Sequence, residues 1–219
     1  MRSPFARNRT AIWRPYDLDV DGIDWAGSAM TAARTRLDIA TADLANVSTN
    51  GFRKIVARGV LDAHGVRIER ETVAEHGMLR RTGRTYDLAI AGGGVFRLRD
   101  DTGRISATRN GAFVRDRDGT LRDDSGRALL GLHGVLRVPD GATIDDRGRV
   151  MLAGRQVDCI PVDPGATVRS GYLETANVDA IGEMVDILTA QRSFESAEKV
   201  VSAIDSTRQK ASNDIARLK

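Results

Sequence analysis

The sequence predicts an α+β fold: long N- and C-terminal helices pairing as a coiled-coil-like bundle, with a small all-β domain inserted between them. Three observations carry this. Apolar residues near each end recur at an alternating three-and-four spacing, which is a heptad seam. The middle of the 219-residue chain is broken instead into short apolar runs between turn dipeptides, the signal of closely spaced hairpins. The stretch from Asn177 to Lys219 holds no proline and only one glycine, Gly182, so nothing halts a helix there.

Residues 1–20 read as a flexible N-terminal arm, with Pro4 and Pro15, four arginines (Arg2, Arg7, Arg9, Arg14) and the aromatics Phe5, Trp13 and Tyr16. Residues 21–52 read as an N-terminal assembly helix and its cap. Ile23, Ala26, Met30, Ala33, Leu37, Ala40, Leu44 and Val47 match a heptad throughout. This seam is rich in alanine, so it permits close helix approach but buries little area. At about 25 cal/mol per Å² it does not hold the helix alone. The helix stop follows, where Asn50-Gly51 tolerates a left-handed backbone, Phe52 can fold back on the last turn, and the Asn46 amide can bond exposed carbonyls.

Residues 53–80 read as an extended connector, with short β-compatible runs at Ile55 to Ala57 and Val66 to Ile68. Residues 81–170 read as a β-rich middle domain, whose runs alternate with Gly92-Gly93-Gly94, Thr102-Gly103, Asp118-Gly119 and Asp140-Gly141. Residues 171–219 read as the C-terminal assembly helix. Its seam is Ile187, Ala190, Phe194, Ala197, Val201, Ile204, Ala211, Ile215 and Leu218, interrupted where Arg208 takes a core position. Asn177 is expected to cap the helix, with Glu183 and Asp186 facing the positive end of its dipole. Helical throughout, it spans about 60 Å at 1.5 Å per residue, more than an ordinary domain is wide. Such a seam needs partners beyond its own domain. The assembly interface expected is Ile23, Met30, Leu37, Leu44, Asn46, Val47, Phe52, Val185, Leu188, Phe194, Val201, Ile204 and Ile215.

The chemistry of an enzyme is not visible in these residues. Gly92-Gly93-Gly94 has neither the spacing nor the following lysine of a phosphate loop and reads as a tight turn. Asp116-Arg117-Asp118-Gly119 places its glycine fourth where a calcium loop needs it sixth, so it reads as a β-turn. His64, His76 and His133 lack metal-ligand spacing, and Cys159, the only cysteine, sits in an apolar run beside Ile160 as a buried small residue. No catalytic residue, cofactor or metal is therefore expected. The net charge of +3 is small, and the arginines are scattered among aspartates instead of forming a block. No run of 18 apolar residues exists and residues 1–20 lack the apolar core of a secretory signal, so neither membrane insertion nor a cleaved signal is expected.

The motifs add a family. Leu37-Asp38-Ile39 with Leu44-Ala45-Asn46-Val47-Ser48-Thr49-Asn50-Gly51-Phe52 resembles the N-terminal signature of the bacterial flagellar rod and hook proteins. Gly171-Tyr172-Leu173-Glu174, Asn177-Val178-Asp179, Glu183-Met184-Val185 and Ala190-Gln191-Arg192-Ser193-Phe194 resemble the C-terminal signature. Asp87-Leu88-Ala89-Ile90, Gly94-Val95-Phe96 and Thr108-Arg109-Asn110-Gly111-Ala112-Phe113 are similar to the β domain of the longer members. Ala42-Asp43 stands where the family usually has two asparagines.

The resemblance implies a non-enzymatic axial subunit of the periplasmic basal-body rod. Its terminal helices would form the inner tube of a helical assembly that transmits torque between motor and hook, with the β domain outside. Implied partners are copies of itself, other rod and hook proteins, and the flagellar export apparatus, with export requiring no cleaved signal. The alternatives are a hook-type subunit, or an arginine-rich nucleic-acid-binding coiled-coil protein using residues 1–20.

Overall fold

The computed structural model describes residues 22–62 and 65–217, which leaves residues 1–21, His64 and Leu218 outside the described residues. Helix α1 (Gly22–Ala45) ends as its capping residues dictate. The Asn46 Nδ2 donates to the carbonyl of Ala42 at 2.8 Å, the Thr49 hydroxyl donates to Asn46 Oδ1, and Gly51 turns the chain at a φ of 69°. Strands β1 (Ile55–Asp62) and β2 (Gly65–Thr72) then form an antiparallel hairpin. The hairpin folds back along α1, where the Val66 N–H donates to Ser28 Oγ at 3.2 Å and the buried Gly65 sits against that serine. The stretch expected to be an extended connector is thus a clasp on the helix. Only Val66 and Ile68 alternate with the exposed Arg67 and Glu69, a period too short to reveal a buried strand face from sequence.

The β body follows. It comprises β3 (Leu79–Arg81), β4 (Leu88–Ala91), β5 (Phe96–Arg99), β6 (Ile105–Thr108), β7 (Val114–Arg115), β8 (Leu121–Arg122), β9 (Ala128–Gly131), β10 (Gly134–Val135), β11 (Thr143–Ile144), β12 (Arg149–Leu152), β13 (Arg155–Cys159), β14 (Thr167–Ser170) and β15 (Tyr172–Glu174). The largest sheet runs β6-β5-β9-β8-β7 with β10 on β9, a second runs β11-β12-β13, and β14 and β15 return to pair with β4 and β3. All of these pairs are antiparallel. Their inward residues meet in one core of Leu88, Ile90, Phe96, Leu98, Phe113, Leu121, Leu129, Leu136, Val138, Val150, Ile160 and Val168. Phe96 and Phe113 touch edge to face, with ring centroids 5.3 Å apart.

Four turns of this body share one design. Asp100, Asp116, Asp123 and Asp145 each accept at the main chain from a glycine three residues on, Gly103, Gly119, Gly126 and Gly148. In three of them the carboxylate also accepts N–H groups at i+2 and i+4. Arg127 and Arg149 then return a guanidinium to the aspartate that began the turn. Part of the mixing of arginine with aspartate is therefore turn chemistry.

Helix α2 (Ala180–Arg217) closes the chain and packs along α1. Its first turn is capped by Asp179, whose Oδ1 accepts the Ile181 N–H, and not by Asn177. The Asn177 side chain is taken up elsewhere: Oδ1 accepts from the Lys54 N–H at 2.7 Å and Nδ2 donates to the Glu75 carbonyl. Cys159 is half-buried rather than fully buried, and burial, reinforced by Asp145 and Asp158, pushes its thiol pKa up.

Candidate functional site

The two helices run antiparallel. Ile204 Cδ1 lies over Gly22 at the start of α1, while Lys54, just beyond the end of α1, pairs with Glu183 in the first turn of α2 at 2.5 Å. The fully buried seam residues are alanines, Ala26, Ala33 and Ala40 from α1 and Ala190 and Ala197 from α2. Ile23, Met30, Leu37, Leu44, Phe194, Val201 and Ile204 are half-buried along the same helix pair. Helix α1 buries a second face, with Ala32 and Ile39, towards the hairpin and the groove beside it.

Three residues of the expected interface lie off the α1–α2 pairing. Val47 is exposed beyond the end of α1, and Val185 and Leu188 point away from α1. Together with Ile181 and Met184 they leave α2 with a second apolar stripe on its first turns, at relative exposures of 76% (Ile181), 52% (Met184), 56% (Val185) and 56% (Leu188). The Ile215 side chain lies outside the described residues, and Phe52 and Asn46 are half-buried at the junction below α1.

Buried charge gathers at that junction. Asp43, wholly buried, accepts the Ile55 N–H at 3.0 Å and so anchors β1 to α1. Burial lifts its carboxyl above the ordinary range. The Ile55 N–H opposes the lift, the neighbouring Glu183 adds to it and Lys54 counters it. The hydrogen bond to Glu183 raises Lys54 in turn, so the ammonium stays charged. A groove of about 370 Å³ opens beside these groups, between α1, β1 and α2, and is lined by Ile39, Ile55, Asp186 and Ala190 among others.

Next to it, the three motif blocks read separately in the sequence converge on one point. The Gly51 N–H donates to the Glu174 main-chain oxygen at 2.8 Å, and a Cβ on Gly51 would stand 2.5 Å from the Arg109 carbonyl carbon. Arg109 Nε donates to Glu174 Oε2 at 2.6 Å, with the two side chains only 3% and 2% exposed. The rest of the guanidinium donates to the carbonyls of Ile90, Gly92 and Gly94. The glycine-rich turn thus receives an arginine of its own chain. Sequence reasoning quoted Arg109 and Glu174 within motifs but gave them no role, because nothing in a linear pattern pairs residues 65 positions apart. Among the described residues no group of three metal-ligating side chains forms.

Comparison with known proteins matches this architecture block by block. Residues 23–53 fit the family described as flagella basal body rod protein, residues 89–152 the flagellar hook protein FlgE/F/G D1 domain, and residues 169–214 the flagellar basal body rod FlgEFG protein C-terminal. The flagellar basal-body rod protein FlgG of Bacillus subtilis (strain 168) is 28% identical over 254 aligned residues, covering 85% of this chain and 96% of the relative. The flagellar basal-body rod protein FlgF of Escherichia coli (strain K12) is 27% identical over 81% of this chain and 92% of its own. The flagellar hook protein FlgE of Rhizobium meliloti (strain 1021) is 32% identical, but across 48% of this chain and 28% of its own. The chain belongs to the family of bacterial flagellar rod and hook proteins. Since the relatives matched along nearly their whole length are rod proteins, it is a structural subunit of the basal-body rod and not an enzyme.

Proposed function

We propose that this rod subunit polymerises through its terminal helices into a helical tube in the periplasm, carrying torque between motor and hook, with the β body on the outside. The observation that carries the reading is the exposed stripe Ile181, Met184, Val185 and Leu188, on the face of α2 turned away from α1. With α1 occupying one face of α2, an apolar second face has burial to gain only from another molecule. A contact between two different surfaces of identical copies repeats head to tail without closing, which is how an open helical array grows. The interface of this proposal keeps Val47, Val185 and Leu188 as outward contacts. Ile23, Met30, Leu37, Leu44, Phe194, Val201 and Ile204 serve first in pairing α1 with α2, and Ile215, Asn46 and Phe52 extend the set at the two ends. Copies of itself, other rod and hook proteins and the export apparatus remain the proposed partners, with export needing no cleaved signal.

The test is the double variant Val185→Asp with Leu188→Asp. Electron microscopy and sedimentation should show no polymer and no incorporation into basal bodies, while circular dichroism of the monomer stays as in the parent. Polymerisation undiminished by two charges on this stripe would refute the reading.

A further inference from the structure

The route between the helices and the β body is two strands wide, and both strands carry a glycine at the same level. The β3–β15 ladder ends at Arg81 and Tyr172, and the β4–β14 ladder begins at Leu88 and Ser170. Between them lie Gly83, at a φ of 75°, and Gly171, at a φ of 80°. A Cβ on Gly171 would stand 3.9 Å from Gly83 Cα, so the two face each other. The Gly171 carbonyl accepts from both the Thr82 and Gly83 N–H groups, at 2.8 and 3.2 Å, and its own N–H donates to Asp87. Left-handed glycines opposite one another at a break between ladders are the features of a bend that can swing.

Arg109 and Glu174 sit on opposite sides of this bend. Glu174 belongs to β15, on the helix side, and its Oε1 also accepts the Gly77 N–H at 3.2 Å. Arg109 belongs to the β body, where it ties the carbonyls of Ile90, Gly92 and Gly94. We infer that the Arg109–Glu174 pair is a clamp across a two-glycine hinge, holding the β body at one angle to the helix pair. Both are positioning residues. A fork-shaped guanidinium with all three nitrogens engaged resists rotation in a way that a single ammonium does not. In a rod subunit such a clamp makes the outer body follow the helices under torque. That purpose rests on the reading above, but the clamp itself is a property of the monomer.

The experiment uses the full chain with Cys159→Ala and spin labels at two exposed sites, Leu132→Cys in the β body and Glu198→Cys on α2. Pulsed dipolar spectroscopy reads the distance distribution between them. The double variant Arg109→Met with Glu174→Met removes both charges and leaves neither buried alone. The clamp predicts a narrow distribution in the parent and one at least about twofold broader in the double variant, with the β body still unfolding cooperatively. Arg109→Lys keeps the charge but loses the fork and should broaden the distribution to an intermediate width. Equal widths in parent and double variant, or a β body that no longer unfolds cooperatively without the pair, would overturn the inference. Since every measurement is on the monomer, a failure to polymerise leaves this result standing, and the reverse holds too.

Discussion

Asp43 shows how one side chain sets a pH dependence. It holds β1 to α1 through the Ile55 N–H, yet it is buried beside Glu183 with Lys54 as the nearest cation. A carboxyl whose pKa is raised by folding holds its proton more tightly in the folded chain. Its favourable contribution is present at and below the ordinary carboxylate range and is lost as pH climbs through the raised value. At neutral pH the ionised Asp43 therefore costs stability. Asparagine, which the family resemblance leads one to expect here, accepts the same N–H without a charge. Asp43→Asn should melt higher than the parent at pH 7, and the difference should shrink as pH falls towards about 4. Melting followed by helical circular dichroism across that range checks this; a constant difference would refute it. The turn aspartate Asp145 behaves oppositely. Burial pushes Asp145 up, but Arg149 and the turn N–H groups hold it below the ordinary range, so its contribution is lost only as pH falls through that lowered value.

Among the elements, the β body depends on its core and the helix pair on reach. Phe96 is wholly buried at the centre of the body, where its ring meets the edge of Phe113. Phe96→Ala should cost about 3–5 kcal/mol in denaturant unfolding of the β body, because strands of four residues or fewer cannot close over the space left behind. A loss below about 1 kcal/mol would mean the core repacks. The helix pair has no such centre. The seam residues it buries most completely are alanines, which give little apolar area, and the hairpin clasp and the Lys54–Glu183 pair add to its hold.

For the molecule as a whole, the two helices differ in length in a way that bears on assembly. Helix α1 has 24 residues and α2 has 38, and since Ile204 lies over Gly22, residues 205–217 run past the first described residue of α1. That is about 20 Å of helix at 1.5 Å per residue. Amide hydrogen exchange on the monomer should rise along α2 from Ala190 and Ala197, which α1 buries, towards the C-terminal turns. Equal protection along all of α2 would refute that gradient. Polymerisation should slow exchange there and across Ile181 to Leu188 together.

The helices, the β middle and the family motifs were legible in the chain because each rests on short-range periodicity or on residues within one turn. A heptad spacing or an Asn-Gly stop needs no knowledge of distant residues. The clasp of β1 and β2 on α1, the face of α2 left bare at Val185 and Leu188, and the exchange of caps between Asn177 and Asp179 were decided only by the folded structure. Each depends on which element arrives beside which. The Arg109–Glu174 pair is the clearest case. Its partners lie 65 positions apart along the chain, and a buried charge finds its counterpart by burial and geometry, neither of which spacing along the chain records.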